Sequence, residues 1–136
     1  MAFGSWVTGP LIDMTLFGAN GSEEQALVGI IDTGASVICI DKRIPIRLGL
    51  TPTNLKTMIV ADGSEVQATV FAGELSIPEL DFRDWVELHG MAMKSETNRV
   101  LIGRSFLAPY HVTYSGPEER FHFAKTVAFQ EAEQDG

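Results

Sequence analysis

Apolar residues in this chain recur with a period of two, in short runs broken by clusters of Gly, Asn, Ser, Asp and Pro. That pattern commits the chain to strands. Leu11 to Phe17 alternates, with Ile12, Met14 and Leu16 on one face and Asp13 and Thr15 on the other. Gly18-Ala19-Asn20-Gly21-Ser22 turns the chain into a second run from Ala26 to Ile31 that ends at Asp32. Val37 to Ile40 is an apolar strand, and Asp41 is placed to cap a short helix over Ile44–Leu48. Lys56–Val60 and Glu65–Phe71 flank Ala61-Asp62-Gly63-Ser64 and predict a hairpin with a polar tip. Leu75–Ile77, Trp85–Leu88 and Val100–Ile102 are further strands, and Arg104–Leu107 is a brief helix stopped before Pro109. Tyr110–Tyr114 and Arg120–Lys125 enclose Ser115-Gly116-Pro117-Glu118-Glu119 in a last hairpin. Many short strands separated by frequent turns predict an all-β fold, a small closed or sandwiched structure with one or two short helices.

At 136 residues the chain suits one domain. Residues 1–129 are expected to form it, and the acidic residues 130–136 to be a disordered tail. No apolar run approaches the roughly 20 residues that span a bilayer, and the first residues lack a signal-peptide pattern. No membrane contact is therefore expected from this segment, although an anchor trimmed from the chain is compatible with it. Ten basic against eighteen acidic side chains give a net charge of −8, which repels phosphate backbones and disfavours nucleic acid as a partner. The single cysteine, Cys39, excludes an internal disulfide and favours a reducing compartment such as the cytoplasm. Lying in Val37-Ile38-Cys39-Ile40, it reads as a small buried hydrophobe rather than a reactive thiol.

One segment demands chemistry. Ile30-Ile31-Asp32-Thr33-Gly34-Ala35-Ser36-Val37 sets a carboxylate between two apolar runs. Burying a lone carboxylate is costly, so Asp32 should gain a partner, a proton or a shared water. Asp, Thr and Gly also occur in ordinary strand-end turns; the apolar flanks on both sides lift this segment above that reading. A second segment, Val100-Leu101-Ile102-Gly103-Arg104-Ser105-Phe106-Leu107, joins an apolar strand to a Gly-Arg turn and a helix. The histidines, His89, His111 and His122, have no metal-ligand spacing, and neither a serine-hydrolase elbow nor a phosphate-cradling loop is present. No metal and no cofactor is expected.

Together the two segments resemble the retropepsin-like aspartic proteases, single-domain relatives of the pepsin fold, over roughly Trp6 to Lys125. The resemblance implies a small closed β-barrel of the retropepsin or pepsin-lobe type. It implies Asp32 as the catalytic carboxylate, Thr33 as a brace for the partner subunit's catalytic loop, and Gly34 as a presenter of backbone groups to carboxylate and substrate. Ala35 and Ser36 would border the bound peptide, and the hairpin at Ala61, Asp62, Gly63 and Ser64 would be the flap that closes over it. Ile102, Gly103 and Arg104 would support the catalytic loop from behind. Retroviral members carry an Asp at the position of Ser36 that pairs with the arginine matching Arg104, so here Arg104 needs another acceptor; a backbone carbonyl is one candidate, and the sequence does not identify it. The extra strand Arg120–Lys125 is similar to the final strands of pepsin lobes and implies a dimer sheet shared with the N-terminal strand near Trp6.

No second Asp-Thr-Gly or Asp-Ser-Gly occurs, so the other carboxylate must come from a second copy. The expected function is an aspartic endopeptidase, active as a homodimer, that hydrolyses extended polypeptide with a water activated by two Asp32 residues. The alternative is a binding or dimerisation module that keeps the fold without cleaving.

Overall fold

The computed structural model describes residues 3–93 and 97–125. The expected boundary after residue 129 and the tail 130–136 lie outside them, as does most of the loop expected around Lys94–Asn98. Ten strands and two short helices follow in order: β1 (Phe3–Thr8), β2 (Leu11–Phe17), β3 (Glu24–Ile31), β4 (Cys39–Asp41), α1 (Arg43–Arg47), β5 (Pro52–Ile59), β6 (Glu65–Ile77), β7 (Phe82–Met91), β8 (Arg99–Ile102), α2 (Arg104–Leu107), β9 (Tyr110–Ser115) and β10 (Arg120–Lys125). A 3-10 turn at Pro78–Leu80 links β6 to β7.

Seven strands form one sheet in the order β2-β3-β8-β4-β7-β6-β5. A further pairing of Thr15 with Ser76 and Leu16 with Leu75 joins β2 to β6, which closes six of these strands into a barrel and leaves β5 outside the ring. Closure covers part of the β2 edge that would otherwise stand open, while β5 remains an edge strand of the sheet. The all-β barrel expected from the sequence is the fold observed.

Alternation explains the core. Along β2 the residues Ile12, Met14 and Leu16 are buried while Leu11 and Asp13 are exposed. They meet Leu27, Ile40, Phe71, Leu75, Leu88 and Ile102 in a single apolar cluster. Each fully buried aliphatic or aromatic side chain contributes about 1.5–3 kcal/mol against the entropy of ordering. A second sheet, β1-β10-β9, lies apart in the hydrogen-bonding order. Val7 and Phe123 anchor it in the main core, while Trp6 and Tyr114 are left largely exposed.

Besides the longer bounds of β5 and β7, three elements differ from the sequence reading. Glu65–Phe71 and Leu75–Ile77 are one continuous strand of 13 residues, because antiparallel pairing with β7 runs unbroken from Thr69 to Ile77 across Gly73. A side chain at Gly73 would meet Leu50, Leu16 and Leu88 within 3.4 Å. The glycine therefore marks close packing and not a turn. The strand expected from Val37 pairs only from Cys39 onward, since the residues before it form the turns that follow Asp32.

Asp41 is the third difference. The helix starts one residue early, its cap position is Lys42, and Lys42 makes no side-chain cap. Asp41 instead is fully buried and accepts from the Arg43 backbone N–H and Nε at 3.0 Å and from its Nη2 at 2.6 Å. Thr97 adds a backbone N–H. The Arg43 side chain, ahead of the backbone donors, holds the Asp41 carboxyl below its ordinary range against the opposing cost of burial.

A carboxyl lowered in the folded state adds stability that is complete above its unfolded value and is lost as pH falls through the folded one. Asp41→Asn should therefore lower urea stability at pH 7 by about 1–3 kcal/mol. The gap to wild type should shrink once the pH drops below about 4. A gap that stays constant down to pH 3 would refute this role.

Candidate active site

β3 carries its apolar run to Ile31 and delivers Asp32 where the chain must turn. The Asp32 backbone N–H donates to the Ile102 carbonyl at 3.0 Å, fastening the segment to the end of β8. Asp32 then organises its own turn: its carbonyl accepts the Ala35 N–H at 3.2 Å, and its Oδ1 accepts the Gly34 N–H at 2.9 Å. The carboxylate is half-buried and gains one backbone donor from its own turn.

The loop is fixed from behind by β8 and α2. β8 lies between β3, with which it runs parallel, and β4, which it meets antiparallel at Leu101 and Cys39. Beyond it, the Arg104 N–H donates to the Ala35 carbonyl and the Ser105 N–H to the Ser36 carbonyl, each at 2.9 Å. Arg104 Nη1 donates to the Thr33 carbonyl at 2.8 Å. The acceptor that Arg104 requires is thus a backbone carbonyl of the Asp32 loop. Gly103 makes this approach possible: an added Cβ would lie 2.3 Å from the Val37 carbonyl oxygen and 2.7 Å from that of Ala35. Ile102 is buried beside it.

Over Asp32 lies a cavity of about 610 Å³, lined by Asp32, Gly34, Ala35, Ser36 and Arg104 on one side and by Met58, Ile59, Val60 and Ala61 on the other. The second group comes from the hairpin of β5 and β6. Cys39, Met91 and Leu101 also contribute. Ala61 therefore shares the cavity with Asp32 as the sequence suggested, whereas Asp62, Gly63 and Ser64 form the hairpin turn outside its lining. Asp62 accepts the Ser64 N–H at 2.9 Å and the Ser64 hydroxyl, and these bonds, the hydroxyl first, lower its carboxyl. Gly63 takes φ +86°, a conformation that other residues avoid. Thr33 is exposed and is not among the residues that line the cavity.

Local pattern did not reveal Met58, Ile59, Val60, Met91 and Leu101 as site residues. All are apolar strand or strand-end positions whose role depends on which way the hairpin and β7 fold. Cys39 is buried, and burial first, then the nearby Asp32 charge, pushes its thiol up. It is thus an inert wall of the cavity. Among the described residues, no group of three His, Cys, Asp or Glu side chains is placed to hold a metal. No helix among them is long and apolar enough to cross a membrane.

Sequence comparison decides the family. The profile of the family described as gag-polyprotein putative aspartyl protease matches residues 18–109, more than half of the chain and inclusive of both segments above. The chain belongs to that family.

Its fold is shared with a retropepsin-like aspartic protease from Rickettsia conorii, whose crystal structure aligns with a TM-score of 0.57 at 18% identity and 92% coverage of each chain. The foamy viral protease-reverse transcriptase gives a TM-score of 0.48 at 18% identity, covering 75% of this chain and 12% of that one. A Legionella pneumophila protein of unknown function gives 0.46 at 16% identity, covering 74% and 85%. No curated protein matches the chain.

Gly103→Ala should force the Asp32 loop away from α2. It should cost about 1–3 kcal/mol in urea unfolding, the range for overpacking. Gly116→Ala, where the nearest atom to an added Cβ is 4.0 Å away, is the control. Equal effects of the two substitutions would refute the close approach.

Proposed function

We propose that the chain is an aspartic endopeptidase whose site is completed by a second copy of itself. The observation that carries this reading is the cavity over Asp32. It is large enough for peptide, walled by apolar side chains, and contains a single acidic group among its described lining residues. Peptide hydrolysis needs a base to deprotonate water and an acid to protonate the carbonyl oxygen or leaving nitrogen. One carboxylate cannot hold both states. Two in contact share a proton, since both cannot ionise side by side, and this sharing is the general behaviour of aspartic proteases.

A two-fold axis beside the loop would bring Asp32 of one copy against Asp32 of the other. The sheet β1-β10-β9 supports such an assembly. Among the described residues its outer strands, β1 and β9, have unpaired edges, and Trp6 and Tyr114 are 47% and 55% exposed on it. Thr33, exposed in the single chain, would then brace the partner's loop through its hydroxyl. Gly34, whose N–H already holds Asp32 Oδ1, would position the carboxylate, with Ala35 and Ser36 bordering the substrate. Ile102, Gly103 and Arg104 would keep the loop rigid.

The β5–β6 hairpin would act as the flap. Its Ile59 is 75% exposed and faces the same cavity as Asp32, so closure over an apolar peptide side chain would remove that surface from water. Asp62, Gly63 and Ser64, outside the cavity in a single copy, would approach substrate only on closure. The peptide would lie extended, making strand-like main-chain bonds.

In a peptide-library assay, activity should be bell-shaped in pH about a single optimum, because the reaction needs one carboxyl protonated and the other ionised. Below it both carboxyls are protonated and no base remains; above it both are ionised and no acid remains. Asp32→Asn should lower hydrolysis by about 100-fold or more. Sedimentation should find a dimer in the presence of a peptidomimetic inhibitor. An active Asp32→Asn variant, or a monomer with inhibitor bound, would refute the mechanism.

A further inference from the structure

The cavity over Asp32 does not end at the catalytic loop. A second hollow of about 360 Å³ adjoins it and shares Ser36, Met58 and Ile59 as common wall. A third, of about 520 Å³, shares Val37, Lys56 and His89 with the second. The three form one groove along β5, leading away from Asp32.

The middle hollow differs chemically from its neighbours. Among the described residues lining it, Lys56 is the one charged side chain, and His89, Ser36 and Thr57 supply its other polar groups. Asp84, Glu87 and Lys125 face only the third hollow. A positive lining is unexpected on a chain of net charge −8. The Thr57 hydroxyl accepts from Gln67 Nε2 at 3.2 Å, which leaves its own proton free to donate.

His89 stands out further. It is 3% exposed, and among the described residues neither ring nitrogen has a hydrogen-bond partner. Leaving such a group unpaired is costly, so a buried imidazole on a groove wall calls for a ligand. Burial first, and then the Lys56 charge, disfavours its protonation against a smaller opposing effect from Glu87. The neutral ring keeps one N–H to donate. Val37, Met58 and Ile59 provide apolar surface for a short methylene stem.

We infer that this middle hollow is a subsite for an acidic side chain, Glu or Asp, of the bound peptide, held by the Lys56 ammonium and the His89 imidazole at a position removed from the scissile bond. The inference rests on the peptidase reading, but binding tests it independently.

Peptides carrying a single Glu, moved one position at a time along an apolar sequence, would be compared with their Gln counterparts. Affinity for the Asp32→Asn protein is measured by fluorescence anisotropy, and hydrolysis by wild type is followed in parallel. In one register Glu should bind about ten-fold tighter than Gln, the scale of one charge-assisted hydrogen bond. Lys56→Glu should abolish this preference and favour Lys at the same position. His89→Leu should reduce it, with thermal unfolding checking that the variant folds.

Equal affinity for Glu and Gln in every register, or a preference untouched by Lys56→Glu, would overturn the subsite. Cleavage without discrimination would leave the peptidase standing and sink the subsite. Discrimination in binding without any cleavage would do the reverse. Failure to bind any peptide would overturn both.

Discussion

Everything in this molecule that could do chemistry depends on how the end of β8 seats against the loop after β3. The Ile102 carbonyl receives the Asp32 N–H, and the backbone donors of Arg104 and Ser105 reach the carbonyls of Ala35 and Ser36. The Arg104 guanidinium reaches the carbonyl of Thr33, 71 residues earlier in sequence. Each bond is modest, about 1 kcal/mol net. Together they hold a turn that would otherwise be free to move, and they do so through backbone atoms. Side chains elsewhere can change while the arrangement persists, in keeping with a shared fold at 18% identity.

The barrel exists to support that contact. β8 reaches the loop because it is threaded between β3 and β4, parallel to one and antiparallel to the other. The 13-residue β6 both closes the barrel through β2 and extends beyond it to carry β5. A single strand thereby links the packed core to the hairpin above Asp32. The rigid part holds the carboxylate, and the part outside the ring borders the groove where a ligand would lie.

Much of this was legible locally. Alternation in Leu11–Phe17 gave the buried and exposed faces of β2 residue by residue. The helix Arg104–Leu107 and the strand Arg120–Lys125 stand where the pattern put them. Asp32, Thr33, Gly34 and Ala35 stood out because apolar runs flank the carboxylate on both sides, which an ordinary strand-end turn does not require. Asp41 misled for the opposite reason. Just ahead of a short helical run it looks like a cap, whereas it lies buried and bound to Arg43. A cap and an ion pair draw on the same residue type, and the choice depends on what surrounds the residue in space.

The sequence by itself determined the strand periodicity, the turns and the motif around Asp32, since each follows from neighbours along the chain. Tertiary structure alone decided that Arg104 bonds to the Thr33 carbonyl, that Gly73 packs inside a strand, and that His89 shares a wall with Lys56. Periodicity tells which face of a strand is buried, but not which other strand it will meet. The closing of the barrel sets those meetings, and with them the lining of the groove.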